Sequence, residues 1–252
     1  IQARRQTGSA FKPIIYASAL DKGYTPTSII VDAPIVFEWG DKKWKPKNFE
    51  GKFSGPITLR NALTQSINVV TVKIAQDIGV DYIRDYAKKL GISSPLYHEL
   101  SMSLGSSSVS LFELTKAYAV FANQGRSFKP IFIKKILDRD GNLLEENLPP
   151  FYFEEFSAEE QAITPQTAFL ITYLMEGVVQ HGTGWRARSL GRPVAGKTGT
   201  TDQFMDAWFI GYTPELITGV WVGFDEERSL GENETGARAA SPIWVTYMLR
   251  IL

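Results

Sequence analysis

The spacing of apolar residues divides the chain into a longer helical part and a shorter part made of strands. Up to about residue 190, apolar side chains recur at helical spacing, and capping residues or prolines mark where helices begin. This pattern predicts helices over 9–20, 59–63, 69–78, 81–90, 110–123 and 164–180. Thr58, the Ser110 and Glu113 pair, and Thr164 with its following proline are the predicted caps.

The pattern changes in the last quarter of the chain. Runs rich in Trp, Phe, Ile and Val, separated by turn residues, predict three consecutive antiparallel strands over 193–197, 206–212 and 216–224. An apolar helix is predicted over 242–252. A helical body followed by a small antiparallel sheet is an α+β fold.

Three other segments carry local turn or capping signals. Residues 31–57 contain several tryptophans, prolines and glycines and predict an irregular hairpin. The apolar runs on either side of Asp140-Gly141 predict a β-hairpin. Ser157 and Glu160 form a further capping pattern before the helix at 164–180.

Composition narrows the functional classes. The 252 residues include 27 basic and 27 acidic side chains, so the net charge is zero and gives no electrostatic argument for a nucleic-acid partner. The uncharged stretch 163–175 is too short to span a bilayer. Because the chain has no cysteine, a disulfide scaffold, a thiol nucleophile and a thiolate metal site are excluded. No metal-ligand spacing is present, and we expect no metal or other cofactor.

Three short motifs carry the candidate chemistry. They are, in chain order, Ser9-Ala10-Phe11-Lys12, Ser66-Ile67-Asn68 and Lys197-Thr198-Gly199-Thr200. The first two specify only two positions each and are weak alone, whereas Lys-Thr-Gly arises by chance in roughly one such chain in thirty. Their order, and the fit of each to its predicted local structure, give them weight together.

The first motif places a nucleophile and a base one helical turn apart. Ser9 follows Gly8 at a predicted helix start, and Lys12 lies on the same face. A serine hydroxyl needs a base, and a lysine amine serves only if burial or a cation such as Lys197 lowers its pKa. Taken alone, the pair fits an N-cap serine and a solvated lysine better, since N-cap serines are abundant.

The second motif interrupts a helical stretch. Ser66 and Asn68 point to one side of an extended turn, with Ile67 between them. There Ser66 can relay a proton to a leaving amine, and Asn68 can hold Lys12 or a substrate amide. The simpler alternative is a pair of polar side chains that bond to the local backbone at a helix break.

The third motif ends a predicted strand. Gly199 leaves the strand surface bare, so that another backbone can lie against it. Thr198 and Thr200 can bond a carboxylate, with Lys197 supplying positive charge. The backbone N–H groups of Thr200 and Ser9 can form an oxyanion hole. The alternative is an edge strand with threonine-rich turn chemistry.

Longer segments around the motifs carry a family resemblance. They are 5–9, 12–13, 44–48, 62–68, 117–123, 182–184 and 206–214. The chain resembles the transpeptidase domain of class A (bifunctional) penicillin-binding proteins over essentially all of its 252 residues. The resemblance implies one domain over residues 1–252 with the penicillin-binding protein/serine β-lactamase-like fold.

The resemblance also implies an enzymatic activity, that of a D,D-transpeptidase. The serine of the first motif attacks the D-Ala-D-Ala bond of a peptidoglycan stem peptide, D-alanine leaves, and a neighbouring stem amine takes the acyl group. β-Lactam antibiotics acylate the same serine. Carried over residue by residue, the catalytic groups are Ser9, Lys12, Ser66, Asn68 and Lys197, and the substrate-binding groups are Thr198, Gly199 and Thr200. Which of Lys12 and Ser66 moves which proton stays open.

Departures from the family pattern bear on the alternatives. Thr7 stands where the family more often has proline, and the middle motif is Ser-Ile-Asn instead of the Ser-Asp-Asn of class A β-lactamases. The chain also has no Glu-x-x-Leu-Asn segment of the kind that activates a deacylating water in those lactamases. A β-lactamase or D,D-carboxypeptidase on this fold is therefore disfavoured, and a non-catalytic β-lactam-sensing domain is the remaining alternative.

The start of the chain leads to a further expectation. Only eight residues precede Ser9, whereas in this fold N-terminal strands complete the central sheet. We expect those strands to be missing from this chain and its sheet edge to be open. By the same resemblance, a glycosyltransferase domain and a membrane anchor belong to the full-length protein and not to residues 1–252. The expected location is the bacterial cell envelope, at the outer face of the cytoplasmic membrane.

Overall fold

The computed structural model of the chain describes residues 3–39, 42–147 and 160–252, with the backbone alone for Trp39 and Lys42. The α-helices are α1 (Lys12–Asp21), α2 (Leu59–Thr64), α3 (Asn68–Ile78), α4 (Val80–Lys89), α5 (Leu111–Ala122), α6 (Pro165–His181) and α7 (Ser241–Ile251). The strands are β1 (Arg4–Gln6), β2 (Ile29–Asp32), β3 (Phe37–Trp39), β4 (Lys42–Trp44), β5 (Gly55–Thr58), β6 (Ser108–Ser110), β7 (Lys135–Leu137), β8 (Leu143–Glu146), β9 (Ala195–Thr200), β10 (Ala207–Tyr212) and β11 (Ile217–Val222). Helices and antiparallel sheets together confirm the α+β class.

Helix α1 is the centre of the helical body. Every residue from Lys12 to Leu20 is buried, and the helix packs against α3, α4 and α6. A helix that is apolar on all sides belongs in a core and not at a surface. Its first residue, Lys12, is therefore held out of water by the packing of the helix that carries it.

The sheet beside the helical body has the strand order β11-β10-β9, and both pairings are antiparallel. These are the three strands that the sequence predicts. Strand β9 differs in one respect: it continues to Thr200 instead of ending at Lys197. The reason is that β10 pairs along its whole length, with Ala207 opposite Thr200. The Lys-Thr-Gly-Thr motif thus lies inside regular strand.

Local capping predictions are confirmed at several helices. Thr58 caps α2, Ser110 and Glu113 form a reciprocal capping box at α5, and Thr164 caps α6. The predicted hairpins are present as the β2–β5 and β3–β4 pairs and as the β7–β8 pair. Ser157 lies outside the described residues, so its capping pattern stays a prediction.

One strand pair was not expected from the sequence. Strand β1 pairs with β6, from Arg4 opposite Ser110 to Gln6 opposite Ser108. Strands of three residues are too short to show an alternating pattern. This pair holds the segment that leads directly into Ser9.

In the described residues the main sheet has three strands. The expectation that the N-terminal strands of this fold are missing from the chain stays a prediction. No helix of the described ranges combines the length and the apolar character that a membrane span requires.

Candidate active site

Ser9 lies in a 3-10 turn, Gly8–Phe11, directly before α1. The predicted helix thus begins with a tighter turn, and regular α-helix starts at Lys12. The Gly105 carbonyl accepts hydrogen bonds from the backbone N–H of Thr7 at 3.1 Å and of Gly8 at 3.2 Å, which fastens the turn. Within the described residues the half-buried Ser9 side chain makes no hydrogen bond, so its hydroxyl is available to a ligand.

Two glycines let this turn lie against the end of β9. Gly8 has a φ of +51°, and a side chain on it would overlap the Thr200 carbonyl oxygen. From the strand side, a Cβ on Gly199 would overlap the Thr7 carbonyl oxygen. The Ser9 turn and the strand end are therefore in direct backbone contact, which brings together the two segments of the expected oxyanion hole.

Lys12 is fully buried, and its amine has three acceptors. Its Nζ lies 2.6 Å from the Ser66 carbonyl oxygen, 3.2 Å from the Ser66 hydroxyl oxygen and 2.7 Å from Asn68 Oδ1. An amine that donates to three oxygens is held in one position. The solvated lysine favoured by the motif alone is therefore wrong.

Ser66 has a backbone conformation that normally favours glycine. Its φ is +57°, and it lies between the end of α2 at Thr64 and the start of α3 at Asn68. With this conformation both its carbonyl oxygen and its hydroxyl face the Lys12 amine. Such backbone strain costs about 1–3 kcal/mol and persists only where the surrounding structure imposes it.

Lys197 approaches the same hydroxyl from β9. Its Nζ lies 2.9 Å from Ser66 Oγ and 3.1 Å from the Thr198 carbonyl oxygen, and the side chain is fully buried. Burial lowers the pKa of Lys197 to about 7. Burial first, and then the charge of Lys197, hold the pKa of Lys12 well below its usual value. Both amines therefore lose a proton more readily than an exposed lysine does.

Sequence reasoning assigned no role to Asn48 or Asp32. Asn48 Oδ1 accepts hydrogen bonds from the backbone N–H groups of Asn68 and Val69, at 3.1 Å each. Its Nδ2 donates to both oxygens of the buried Asp32 carboxylate, at 2.9 and 3.0 Å. A signal was present, because Asn48 ends one of the segments that carry the family resemblance.

The two motif threonines each have a polar partner. The hydroxyl oxygens of Thr198 and Thr183 lie 2.7 Å apart. The Gly236 N–H donates to Thr200 Oγ1 at 3.1 Å, which leaves the Thr200 O–H free to donate. Sequence reasoning assigned no role to Thr183 either, although its Gly-Thr-Gly segment is among those that carry the resemblance.

A cavity of about 780 Å³ joins these groups. Lys12, Lys197 and Gly199 are buried next to residues that line it: the two lysines contact Ser66, and Gly199 lies between Thr198 and Thr200. All the other predicted site residues line it, namely Ser9, Ser66, Asn68, Thr198 and Thr200, together with Trp44, Asn48, Phe49, Lys52, Thr183 and Phe204. The structure therefore brings all eight predicted residues to one place.

Comparison with known proteins then identifies the family. The family model of the penicillin binding protein transpeptidase domain matches residues 1–240. The chain belongs to this family.

Individual relatives of this transpeptidase domain support the same family membership. Penicillin-binding protein 1A of Aquifex aeolicus is 46% identical to it, over 98% of this chain and 33% of that protein. The crystal structure of penicillin-binding protein 1A from Haemophilus influenzae matches with a TM-score of 0.90 at 33% identity, over 99% of this chain and 42% of that one. PonA1 from Mycobacterium tuberculosis, in complex with penicillin V, matches with a TM-score of 0.81 at 27% identity, over 99% and 70%.

The transpeptidase domain described here spans about a third of the length of the curated relatives that it matches. The family and fold that the sequence motifs implied are confirmed. In this domain an accessible serine hydroxyl, a bridging serine and two buried amines of lowered pKa meet at one cavity. Such a set can remove a proton from a nucleophile and return it to a leaving group.

Proposed function

We propose that this domain is a peptidoglycan D,D-transpeptidase in which Ser9 is the nucleophile. The observation that carries the proposal is the meeting of Lys12 and Lys197 at the Ser66 hydroxyl, beside the cavity that Ser9 lines. A serine nucleophile needs a nearby base, and a buried amine of lowered pKa supplies one. The described lining of the cavity contains no histidine that would do so instead.

The first half-reaction forms an ester on Ser9. The hydroxyl proton passes to the Lys12 amine, directly or through the Ser66 hydroxyl, while the Ser9 oxygen attacks the carbonyl carbon of the D-Ala-D-Ala bond. Negative charge develops on the carbonyl oxygen, where the N–H groups of Ser9 and Thr200 stabilise it. The C–N bond then breaks, its nitrogen receives the proton through Ser66, and D-alanine leaves.

The second half-reaction transfers the acyl group. An amino group of a neighbouring stem peptide attacks the ester carbonyl and gives up a proton to the same base. The bond from carbon to the Ser9 oxygen breaks, and that oxygen takes the proton back. The product is an amide cross-link between two stems, and the free enzyme is restored.

The terminal carboxylate of the donor stem orients the reacting bond. Lys197 supplies positive charge, and the hydroxyls of Thr198 and Thr200 donate hydrogen bonds to the carboxylate oxygens. Gly199 keeps the strand close to the Ser9 turn, so that carboxylate and scissile bond are held at a fixed spacing.

β-Lactam antibiotics fit the same site. Their strained amide takes the place of the D-Ala-D-Ala bond, and their carboxylate takes the place of the stem carboxylate. The match to PonA1, solved with penicillin V, supports this proposal. Since the sequence has no Glu-x-x-Leu-Asn segment, we expect the acyl-enzyme to be long-lived in water.

The setting of the reaction follows from the same proposal. We place the domain at the outer face of the cytoplasmic membrane, in the bacterial cell envelope. A glycosyltransferase domain and a membrane anchor in the full-length protein would supply glycan strands and hold the domain near them. The chain covers about a third of the penicillin-binding protein 1A relatives, so those proteins are long enough to hold further domains.

Intact-mass measurement after incubation with penicillin tests the proposal, with Ser9→Ala as the control variant. A stable adduct on the unmodified protein, absent from the variant, is the expected result. No adduct would overturn the proposal, and rapid loss of the adduct would favour a β-lactamase or D,D-carboxypeptidase. Cross-linking of lipid-linked substrate by the full-length protein then separates a transpeptidase from a β-lactam sensor, which would form the adduct without cross-links.

A further inference from the structure

A chain of hydrogen bonds connects the buried carboxylate of Asp32 to the Lys12 amine. Asp32 ends β2 and is fully buried. Its oxygens accept from Asn48 Nδ2, at 2.9 and 3.0 Å, and from the Ser54 backbone N–H at 2.8 Å. In the described ranges both groups that bond to this carboxylate are donors, so it fixes the end of the Asn48 amide that faces it.

Asn48 is held in one orientation by these contacts. Its Nδ2 faces Asp32 and also donates to the Lys52 carbonyl at 2.8 Å, so its Oδ1 faces the start of α3. There it accepts from the N–H groups of Asn68 and Val69. The first N–H groups of a helix have no partner inside the helix, and α3 has no side-chain cap of its own. Asn48 therefore caps α3 from a different segment of the chain.

The same segment orients the Asn68 side chain. Asn68 Nδ2 donates to the Lys47 carbonyl at 2.9 Å, so Oδ1 must be the atom that faces Lys12, at 2.7 Å. Residues 47 and 48 thus hold both the backbone and the amide of Asn68. If Asn48 no longer accepted the hydrogen bonds from the start of α3, Asn68 Oδ1 and the Lys12 amine that donates to it would shift together.

We propose that Asp32 and Asn48 are positioning residues that hold Lys12, through Asn68, where it takes the Ser9 proton. Asp32 sets the orientation of the Asn48 amide, and Asn48 sets the start of α3. The proposal rests on the proposed function, because Lys12 needs a fixed position only if it acts on Ser9. If Asp32 and Asn48 served only to stabilise the loop between β2 and β5, replacing them would leave the acylation rate unchanged.

An exchange of side chains between the two positions tests the proposal. Asn48→Asp puts two carboxylates in one buried pocket and removes the amide donors. Asp32→Asn places two amides side by side. In either orientation of its own amide, Asn48 then loses a hydrogen bond, to residue 32 or to the start of α3. The double variant restores one amide and one carboxylate: the new carboxylate accepts from the α3 N–H groups and from the new amide, and the donor to the Lys52 carbonyl is the contact that is not replaced.

The measured quantities are the acylation rate constant k2 and the dissociation constant Kd for a fluorescent penicillin, in the full-length protein. Each single variant is expected to lower k2 by about 10- to 100-fold with Kd little changed, because misplacement of a catalytic group slows chemistry more than binding. The double variant is expected to recover at least about tenfold in k2. Thr164→Ala is the matched control, since it removes the cap of α6, at a helix end that lies beside Asp21, the opposite end of α1 from Lys12.

The outcomes separate this proposal from the proposed function. If the unmodified protein is not acylated, the proposed function fails. If it is acylated and the single variants keep its k2, or the double variant is no faster than Asn48→Asp, the positioning role is overturned. The role is also overturned if the single variants lose no more k2 than Thr164→Ala does for the same drop in melting temperature. Should Asn48→Asp fail to fold, Asp32→Asn alone and the double variant give the same comparison.

Discussion

The amines of Lys12 and Lys197 approach the same hydroxyl oxygen, at 3.2 and 2.9 Å. That oxygen belongs to Ser66, and both lysine side chains are fully buried. In the part of the chain that the structure describes, neither amine has a carboxylate within ion-pairing distance. Two buried ammonium groups so placed repel each other and have lost their hydration, so the fold favours loss of a proton.

The rate of acylation by penicillin is expected to depend on pH in a bell shape. It rises as Lys12 loses its proton, because only the neutral amine is a base, at a pH far below the usual lysine pKa of 10.5. It falls as Lys197, with a pKa of about 7, loses the charge that holds the carboxylate. Stopped-flow measurement of k2/Kd from about pH 5 to pH 10 tests this expectation.

The matched variant for the decline in acylation rate at high pH is Lys197→Arg. Arginine stays charged across this range, so the variant is expected to be slower but to show no decline at high pH. A rate that keeps rising toward pH 10 in the unmodified protein would contradict the assignment.

Replacing Lys197 by methionine is expected to stabilise the fold while it impairs acylation. The folded pKa of about 7 lies below the usual 10.5, so burial of the charged form costs stability that is largest below pH 7 and disappears above pH 10.5. Lys197→Met should therefore raise the melting temperature at pH 6 and less at pH 9.5. The acylation rate should fall by about 10- to 100-fold, because a charged hydrogen bond is lost.

The control for that experiment is Lys89→Met, at an exposed position of α4. It should change neither acylation nor the pH dependence of stability. Equal stability of Lys197→Met and the unmodified protein at both pH values would refute a buried-charge cost.

Acid stability is expected to depend on Glu113. Burial alone would raise the pKa of this carboxyl, but hydrogen bonds from Ser93, Ser94 and Ser110 outweigh it and lower the pKa to about 2. A depressed carboxyl pKa contributes stability that is present above pH 4.5 and is lost as the pH falls toward 2. Glu113→Gln should lose about 2 kcal/mol of unfolding free energy at pH 7, and the difference should shrink at pH 3.

Urea unfolding at the two pH values measures this effect. The exposed Glu99→Gln change is the control and should leave both curves unchanged. A Glu113→Gln variant as stable as the unmodified protein at pH 7 would show that the serine contacts contribute nothing.

Thr183 is expected to affect binding more than chemistry. Its hydroxyl lies 2.7 Å from that of Thr198, and it can accept or donate so that the Thr198 hydroxyl points toward a carboxylate. Thr183→Val should raise Kd for penicillin by about 2- to 12-fold with k2 little changed. Thr183→Ser keeps the hydroxyl and should restore binding; a Kd for Thr183→Val equal to that of the unmodified protein would rule out the role.

Local signals explain how much of the fold was predictable. The caps at Thr58, Ser110 and Thr164 depend on residues a few positions apart, and each was found where the sequence predicts it. The three-strand order of the sheet also followed from consecutive apolar runs. The β1–β6 pair and the extension of β9 to Thr200 depend on partners distant in sequence, which a local pattern does not contain.

By itself the sequence determined the helices, the three consecutive strands and, through its motifs, which residue types meet at the site. Only the tertiary structure decided how they meet. Lys12 and Lys197 lie on α1 and β9, and burial of both elements removes their amines from water. The left-handed backbone of Ser66 and the cap that Asn48 places on α3 likewise depend on contacts between distant segments. Desolvation and hydrogen-bond partners belong to the packed molecule, and so does the pKa of each lysine.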